Sequence, residues 1–365
     1  MVHLESLSLE NFRGFDRVEI NGFSKINVLL GKNNCGKTSI LEAIFLLTGM
    51  GNPQLPLNIN SERGIRPKKE TLRYLFHNFV TEKDLLLSGK FSGNVSRKLA
   101  IKPTYESSTL NSTSASLLTN PTQTSIPVSP EFSGLDFKFS IGKENKENKE
   151  EHFDASLWFE EDGKIRQSFS SSYKEKILSF FFDSSLTNME FLSKHLQSLM
   201  IQKKEKTIID LLNSFDHTLT GINLLPDGIY LDKKGVSELM PLKLMGRGVI
   251  IFFDIATTIA ANKEKNFICL IDEIENGLHY STQRLLWQSL FSLTRETNVQ
   301  LFITTHSLEM LQTLSTVINA EAYEDVRDDI KVFTIANTAK AGFQSYGISH
   351  EGLESAIENQ VELRS

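Results

Sequence analysis

The sequence holds only two cysteines in 365 residues, Cys35 and Cys269. That excludes a disulfide framework and suits a reducing compartment. It also lacks an excess of positive charge: 39 Lys and Arg stand against 45 Asp and Glu, a formal net charge of −6. A broad basic surface of the kind that dominates nucleic-acid binders is therefore not expected, although local basic clusters remain. Long apolar runs are missing as well. The longest, residues 249–261, is short for a membrane span and carries Asp254. Glu5 and Glu10 interrupt any signal-peptide pattern at the start, and no small-residue cleavage site follows. No internal repeat, His/Cys metal spacing or Ser/His/Asp arrangement is visible. These absences lead to the expectation of a soluble, cytoplasmic protein with no membrane partner.

What is present is an ordinary globular balance, 40% hydrophobic and 23% charged residues. The 25 phenylalanines are scattered, as core packing requires, and form no interaction stripe. Residues 3–10 alternate apolar and polar, which predicts a strand, with a second over 17–20 after a turn at Gly14. Residues 26–30 form a short apolar strand that runs into Gly31. Ile40, Leu41, Ile44 and Leu47 then carry helical spacing over 38–47. Strand patterns return over 85–102, with Gly89 and Gly93 as turn signals. The stretch 107–130, rich in Ser, Thr and Pro, is expected as a surface loop, and the charged run 142–151 as a solvated hairpin tip. Residues 153–169 are expected to pair with the strand before that tip, while 174–182 and 189–220 are expected as helices. A small hairpin over 228–240 precedes a glycine turn at 246–248 and an apolar helix over 249–261. A buried strand, 267–271, ends in Asp272-Glu273. A helix over 281–295, a strand over 299–304 and a helix opened by His306-Ser307 follow. Alternating apolar strands and helices predict an α/β fold with its sheet covered on both faces.

Three segments carry chemistry. Gly31-Lys32-Asn33-Asn34-Cys35-Gly36-Lys37-Thr38 matches G-x-x-x-x-G-K-[ST] at every fixed position, between a strand and a helix. The glycines let successive N–H groups turn toward phosphate oxygens, and the helix N-terminus adds its positive dipole end. Lys37 is expected to bridge the β- and γ-phosphates of ATP, and Thr38 to ligate Mg²⁺, with Ser39 beside it in the first helical turn. Asp272, at the end of a strand rich in large apolar residues, suits the Mg²⁺ shell, and Glu273 can polarise a water. His306 after the strand 299–304 is placed to sense the γ-phosphate, while Ser307 caps the following helix.

Asp272-Glu273-Ile274-Glu275-Asn276-Gly277-Leu278-His279, together with Thr305-His306-Ser307, resembles the RecF- and SMC-like branch of the ABC ATPases. More closely, the chain is similar to compact bacterial AAA family ATPases related to OLD proteins and to the ATPases of the anti-phage systems Septu and PARIS. The opening Leu9-Glu10-Asn11-Phe12-Arg13-Gly14-Phe15 and the ending over 358–364 share the likeness, which covers about residues 1–80 and 236–365. The resemblance implies an ABC-type P-loop head, split in sequence by an inserted α+β lobe over 81–235. It implies that Gly31 to Thr38 form the Walker A loop, Asp272 the Walker B aspartate, Glu273 the catalytic glutamate and His306 the switch histidine. Residues 275–279 match the D-loop. Met245-Gly246-Arg247-Gly248 occupies the place of the signature, whose Gly246 and Gly248 would complete a partner's ATP site. Lys243, Leu244 and Met245 stand where relatives commonly carry a Ser, and Gln54 is the available candidate for the Q-loop.

The function this implies is an Mg²⁺-dependent ATPase that dimerises through ATP-sandwiched heads. It would control a separate effector, such as a TOPRIM or HNH nuclease or a toxin, in anti-phage defence. The rival is an ATP-dependent DNA clamp, favoured by the basic clusters Lys203, Lys204, Lys206 and Arg63, Arg66, Lys68, Lys69. A transporter subunit fits poorly with the divergent signature. The middle segment is the expected place for partner recognition.

Overall fold

The computed structural model describes residues 3–106, 131–143, 149–183, 187–338 and 342–359. The expected loop over 107–130, the centre of the charged tip and the last six residues lie outside this set. Strands β1 (Leu4–Phe12) and β2 (Phe15–Asn21) form a hairpin, and β3 (Ile26–Leu30) leads into helix α1 (Lys37–Thr48), followed by α2 (Leu55–Glu62). Five strands follow: β4 (Leu85–Phe91), β5 (Val95–Glu106), β6 (Glu131–Lys143), β7 (Lys149–Phe159) and β8 (Ile165–Ser168). Next come β9 (Leu178–Phe182), α3 (Met189–Ile201), α4 (Glu205–Phe215), β10 (Leu219–Leu225), β11 (Gly228–Lys233) and β12 (Met240–Pro241). The last third contains α5 (Arg247–Ala261), β13 (Phe267–Ile271), α6 (Tyr280–Arg295), β14 (Val299–Thr304) and α7 (Leu308–Ile318). Strands β15 (Ile330–Thr338) and β16 (Gly342–Ile348) and helix α8 (His350–Glu358) complete it.

One sheet has the order β16-β15-β3-β14-β13-β9, with every pair parallel except β15–β16. Its central strands are apolar on both faces because both faces are covered. Val28, Leu30, Cys269, Ile271, Leu301 and Ile303 join the core made with α5, α6 and α7. Leu29, Ile268, Leu270 and Phe302, on the opposite face, pack with α1 and the second sheet. That second sheet is wholly antiparallel, β2-β1-β4-β5-β6-β7-β8. The two sheets thus clasp α1, whose Ile40, Leu41, Ile44 and Leu47 are buried between them.

Three expectations change. Residues 178–182, expected within a helix, form the strand β9, paired in parallel with β13 over Leu178↔Phe267 to Phe182↔Ile271. The free edge of β13 and a run of three phenylalanines outweigh the weak helical spacing. Gly89 lies inside β4 rather than at a turn, because a Cβ there would meet Leu4 and Leu47 at 2.7 and 2.8 Å. The helical stretch 189–220 ends at Phe215, and its last residues start β10. The segment 81–235, expected as an inserted lobe, contributes β4–β8 to the antiparallel sheet and β9 to the parallel one. Buried Arg97 of β5 reinforces this integration, with bonds to both carboxylate oxygens of Glu175 and to the Thr48 carbonyl at the end of α1.

Candidate nucleotide site

Four strand ends converge at the carboxyl edge of the parallel sheet, where ligands gather in open α/β folds. Strand β3 delivers the phosphate loop, β13 delivers Asp272, β14 delivers Thr304 to His306, and β9 delivers Asp183. The loop needs its glycines. Gly31 has φ +152°, and a Cβ there would meet Cys35 Sγ at 2.4 Å and the Ile335 carbonyl at 2.5 Å. Gly36 has φ +91°, and its Cβ would strike the Phe15 ring at 2.3 Å. Asn34 also holds a left-handed conformation, φ +65°. Asn33 and Asn34 are exposed, while Cys35 and Ser39 are buried. Lys37 is buried too, and its ammonium donates to the Gly31 and Lys32 carbonyls at 2.8 and 3.0 Å. It therefore lies folded over its own loop.

The hydroxyl of Thr38 donates to Asp272 Oδ2 at 2.8 Å, across 234 residues of sequence. Thr304 donates to the other oxygen, Oδ1, at 2.6 Å and accepts from the Glu273 N–H at 2.8 Å. Burial pushes the Asp272 carboxyl above its usual range, with Glu273 and Asp183 adding to the rise against the hydrogen bonds from Thr304 and Thr38. Glu273 has φ +50°, a strained backbone for a residue with a side chain. Asn276 holds its carboxylate with a 2.6 Å bond to Oε2. For Mg²⁺ the donor set fits: Thr38 and Asp272 present two hard oxygens already in contact at one point.

His306 is 42% exposed and turned to the D-loop: its N–H donates to Glu275 Oε1 at 2.8 Å, and ring Nδ1 lies 3.0 Å from the same atom. Ser307 caps α7 by accepting from the Met310 N–H. Gly246 caps α5 and is exposed, whereas Gly248 is buried against Gly277 of the D-loop, where its Cβ would meet the Gly277 carbonyl at 2.5 Å. The missing side chain at Gly248 thus serves packing between the signature turn and the D-loop. Neither glycine lines the nucleotide cleft of its own chain. Gln54 does not line it either; it starts α2, with its N–H bonded to Asn52.

The cleft itself, about 840 Å³, is lined by Thr38, Asp272 and Glu273 together with residues not singled out from sequence for this role. Asp183 continues β9 beside Asp272, whose N–H donates to the Phe182 carbonyl. Arg63 reaches in from the end of α2 and pairs with Glu42 at 2.6 Å; Glu42 is also bound by Arg13 at 3.0 Å. Asp254 of α5 completes the wall. Asp183 was hidden behind a stretch expected to be helical, and Arg63 within a basic cluster weighed as a DNA contact. Thr304 could have been noticed as a hydroxyl at a strand end beside an acidic pair.

A profile of the AAA-domain family described under the AbiEii toxin and type IV toxin–antitoxin systems matches residues 26–311. A protein of Helicobacter pylori (strain ATCC 700392 / 26695) named ATP/GTP phosphatase is 26% identical over 386 aligned positions, which cover 99% of each chain. The DNA replication and repair protein RecF of Oceanobacillus iheyensis is 45% identical over 47 residues, 13% of this chain and 13% of RecF. Among solved structures, an Smc head bound to the C-winged helix domain of ScpA is similar in fold, with a TM-score of 0.50 at 11% identity. That likeness covers 96% of this chain and 99% of the Smc head.

Proposed function

The chain belongs to this AAA-domain family and is a P-loop ATPase of ABC-type head fold, and from that premise we propose that it is an ATP-driven switch for a separate effector. The carrying observation is the junction of Thr38, Asp272, Thr304 and Glu273, in which one hydroxyl ties the two acids and another ties the acid to the phosphate loop. In this reading Lys37 moves from the Gly31 and Lys32 carbonyls to the β- and γ-phosphates of ATP. Thr38 and Asp272 hold Mg²⁺, which when bound offsets the phosphate charge. Glu273, steadied by Asn276, orients the attacking water and takes its proton. His306 leaves Glu275 to meet the γ-phosphate. The name of the Helicobacter relative, an ATP/GTP phosphatase, supports a nucleoside triphosphate as substrate.

A second copy of the chain is the proposed first partner. Leu244 before the signature turn, Tyr280 after the D-loop and Leu308 at the start of α7 are 71%, 68% and 39% exposed. Leu244 precedes Gly246 and Leu308 follows His306 closely in sequence, so in this reading a facing head buries them while Gly246 approaches its phosphates. The contact of Gly248 with Gly277 joins that surface to the loop after Glu273. In this reading the effector is a nuclease or toxin acting in anti-phage defence; the family's description under the AbiEii toxin and type IV toxin–antitoxin systems supports only the link to toxin–antitoxin systems. Affinity capture of the Glu273→Gln protein with Mg·ATP from its host tests this. A stoichiometric companion with nuclease or toxin motifs supports the switch, and recovery of the chain alone contradicts it.

The likeness to RecF favours a second reading, an ATP-dependent clamp on duplex DNA. Binding of duplex DNA that requires ATP and weakens steeply with salt would support it.

A further inference from the structure

Arg63 follows α2 and lines the same cleft as Thr38, Asp272 and Glu273. Among the described residues of that lining it is the one cation, set against the carboxylates of Glu42, Glu62, Asp183, Asp254, Asp272 and Glu273. Its Nη2 lies 3.4 Å from the hydroxyl of Ser39, the neighbour of Thr38, and Thr38 in turn bonds Asp272 at 2.8 Å. Burial works to lower the pKa of the guanidinium, yet Glu42, Asp272 and Asp183 together hold it above its ordinary value. The positive charge thus stands beside the first turn of α1, within electrostatic reach of the Thr38–Asp272 pair.

Its present partner does not depend on it. Arg63 Nε bonds Glu42 Oε1 at 2.6 Å. Arg13 already grips both oxygens of that carboxylate, with Nε on Oε2 at 3.0 Å and Nη2 on Oε1 at 3.3 Å. Glu42 therefore keeps a counter-charge when Arg63 turns away. The side chain of Arg13 is 8% exposed and that of Arg63 38%, so the first is built into the fold and the second meets solvent in the cleft. A guanidinium carries five N–H donors in a rigid fork, and Nη1 of Arg63 has no partner among the described residues.

Resting on the reading that Lys37, Thr38 and Asp272 hold Mg·ATP, we propose that Arg63 is a further catalytic residue, a guanidinium supplied by the chain itself that leaves Glu42 to contact the γ-phosphate. A nucleotide brings several negative charges to a wall already rich in carboxylates, and a cation with open donors on that wall is drawn to them. The planar fork meets two phosphate oxygens at once and stabilises the charge that spreads over them in the transition state. Water attacks the γ-phosphorus and gives its proton to Glu273. The bridging oxygen keeps the bonding electrons as ADP leaves, and Arg63 exchanges no proton.

The experiment compares equilibrium binding of ADP and of a non-hydrolysable ATP analogue, both with Mg²⁺, to the full chain as wild type, Arg63→Ala and Arg63→Lys, beside steady-state turnover. In Arg63→Ala the Kd for the analogue rises about ten-fold while that for ADP is unchanged, and kcat falls by about 10²–10³. Arg63→Lys, which keeps the charge and loses the fork, falls between. An equal change for the two nucleotides, or none for either, overturns the proposal, since a residue that only shapes the cleft does not tell ADP from ATP. Should Arg63→Ala fail to fold, the same comparison on Arg63→Lys decides. If wild type binds neither nucleotide, or if Lys37→Ala binds both as wild type does, the underlying site reading fails first and the proposal falls with it.

Discussion

Thr304 donates its hydroxyl proton to Asp272, and the same oxygen accepts the N–H of Glu273. One side chain from β14 thereby sets both the carboxylate proposed to hold Mg²⁺ and the strained backbone of the neighbouring acid. Thr304→Val keeps the shape of the strand but removes both bonds. ATP turnover should fall by about a hundred-fold, from displacement of a catalytic group, with nucleotide affinity much less affected. Steady-state kinetics beside equilibrium binding separates the two effects.

Gly36→Ala should abolish nucleotide binding while leaving a folded protein. The new methyl group collides with Phe15, and φ +91° disfavours any side chain. Calorimetry with ATP checks the first part and circular dichroism the second. Binding at wild-type affinity would mean that the loop does not hold this shape with nucleotide.

Glu42 accepts from both Arg13 and Arg63, and its side chain is 3% exposed. Glu42→Ala leaves the buried Arg13 guanidinium without its counter-charge, at a cost of about 3–5 kcal/mol. Urea unfolding should show a lower midpoint, and added salt should rescue little of it, because the pair is shielded from solvent.

Asp254 gives a stability dependence opposite to that of most carboxylates. Its folded-state pKa of about 7 lies above the ordinary 3.8. Between pH 4 and 7 the native protein therefore keeps a proton that the unfolded chain has lost. The contribution of this group is greatest below pH 4, declines as pH rises through that window and is gone above 7, a change on the order of 4 kcal/mol. Subtracting the unfolding free energy of Asp254→Asn from that of wild type at each pH isolates it. A flat difference would show that the carboxyl is not buried as described.

Much of the site was legible because its residues sit where local signals are strongest. Strands β3, β13 and β14 have the bounds that their apolar runs indicate, and the glycine and lysine spacing at 31–38 has one physical use. Asp183 was not legible: residues 178–182 become a strand only through pairing with β13, a partner more than eighty residues away. The bracing of Glu42 by Arg13 and Arg63 likewise depends on three elements meeting in space. Gly248 looked like a phosphate contact, and only its packing on Gly277 reveals a second use for the missing side chain. Asp254 was visible in sequence as one charge in an apolar run, without any hint of how deeply the helix buries it.

The most direct test of the account is single-turnover hydrolysis of radiolabelled ATP by Glu273→Gln protein held in excess with Mg²⁺. The account predicts that bound ATP stays intact, with the cleavage rate reduced by about 10²–10⁴ relative to wild type and affinity unchanged. Cleavage at the wild-type rate would remove Glu273 from the chemistry and contradict the mechanism at its centre.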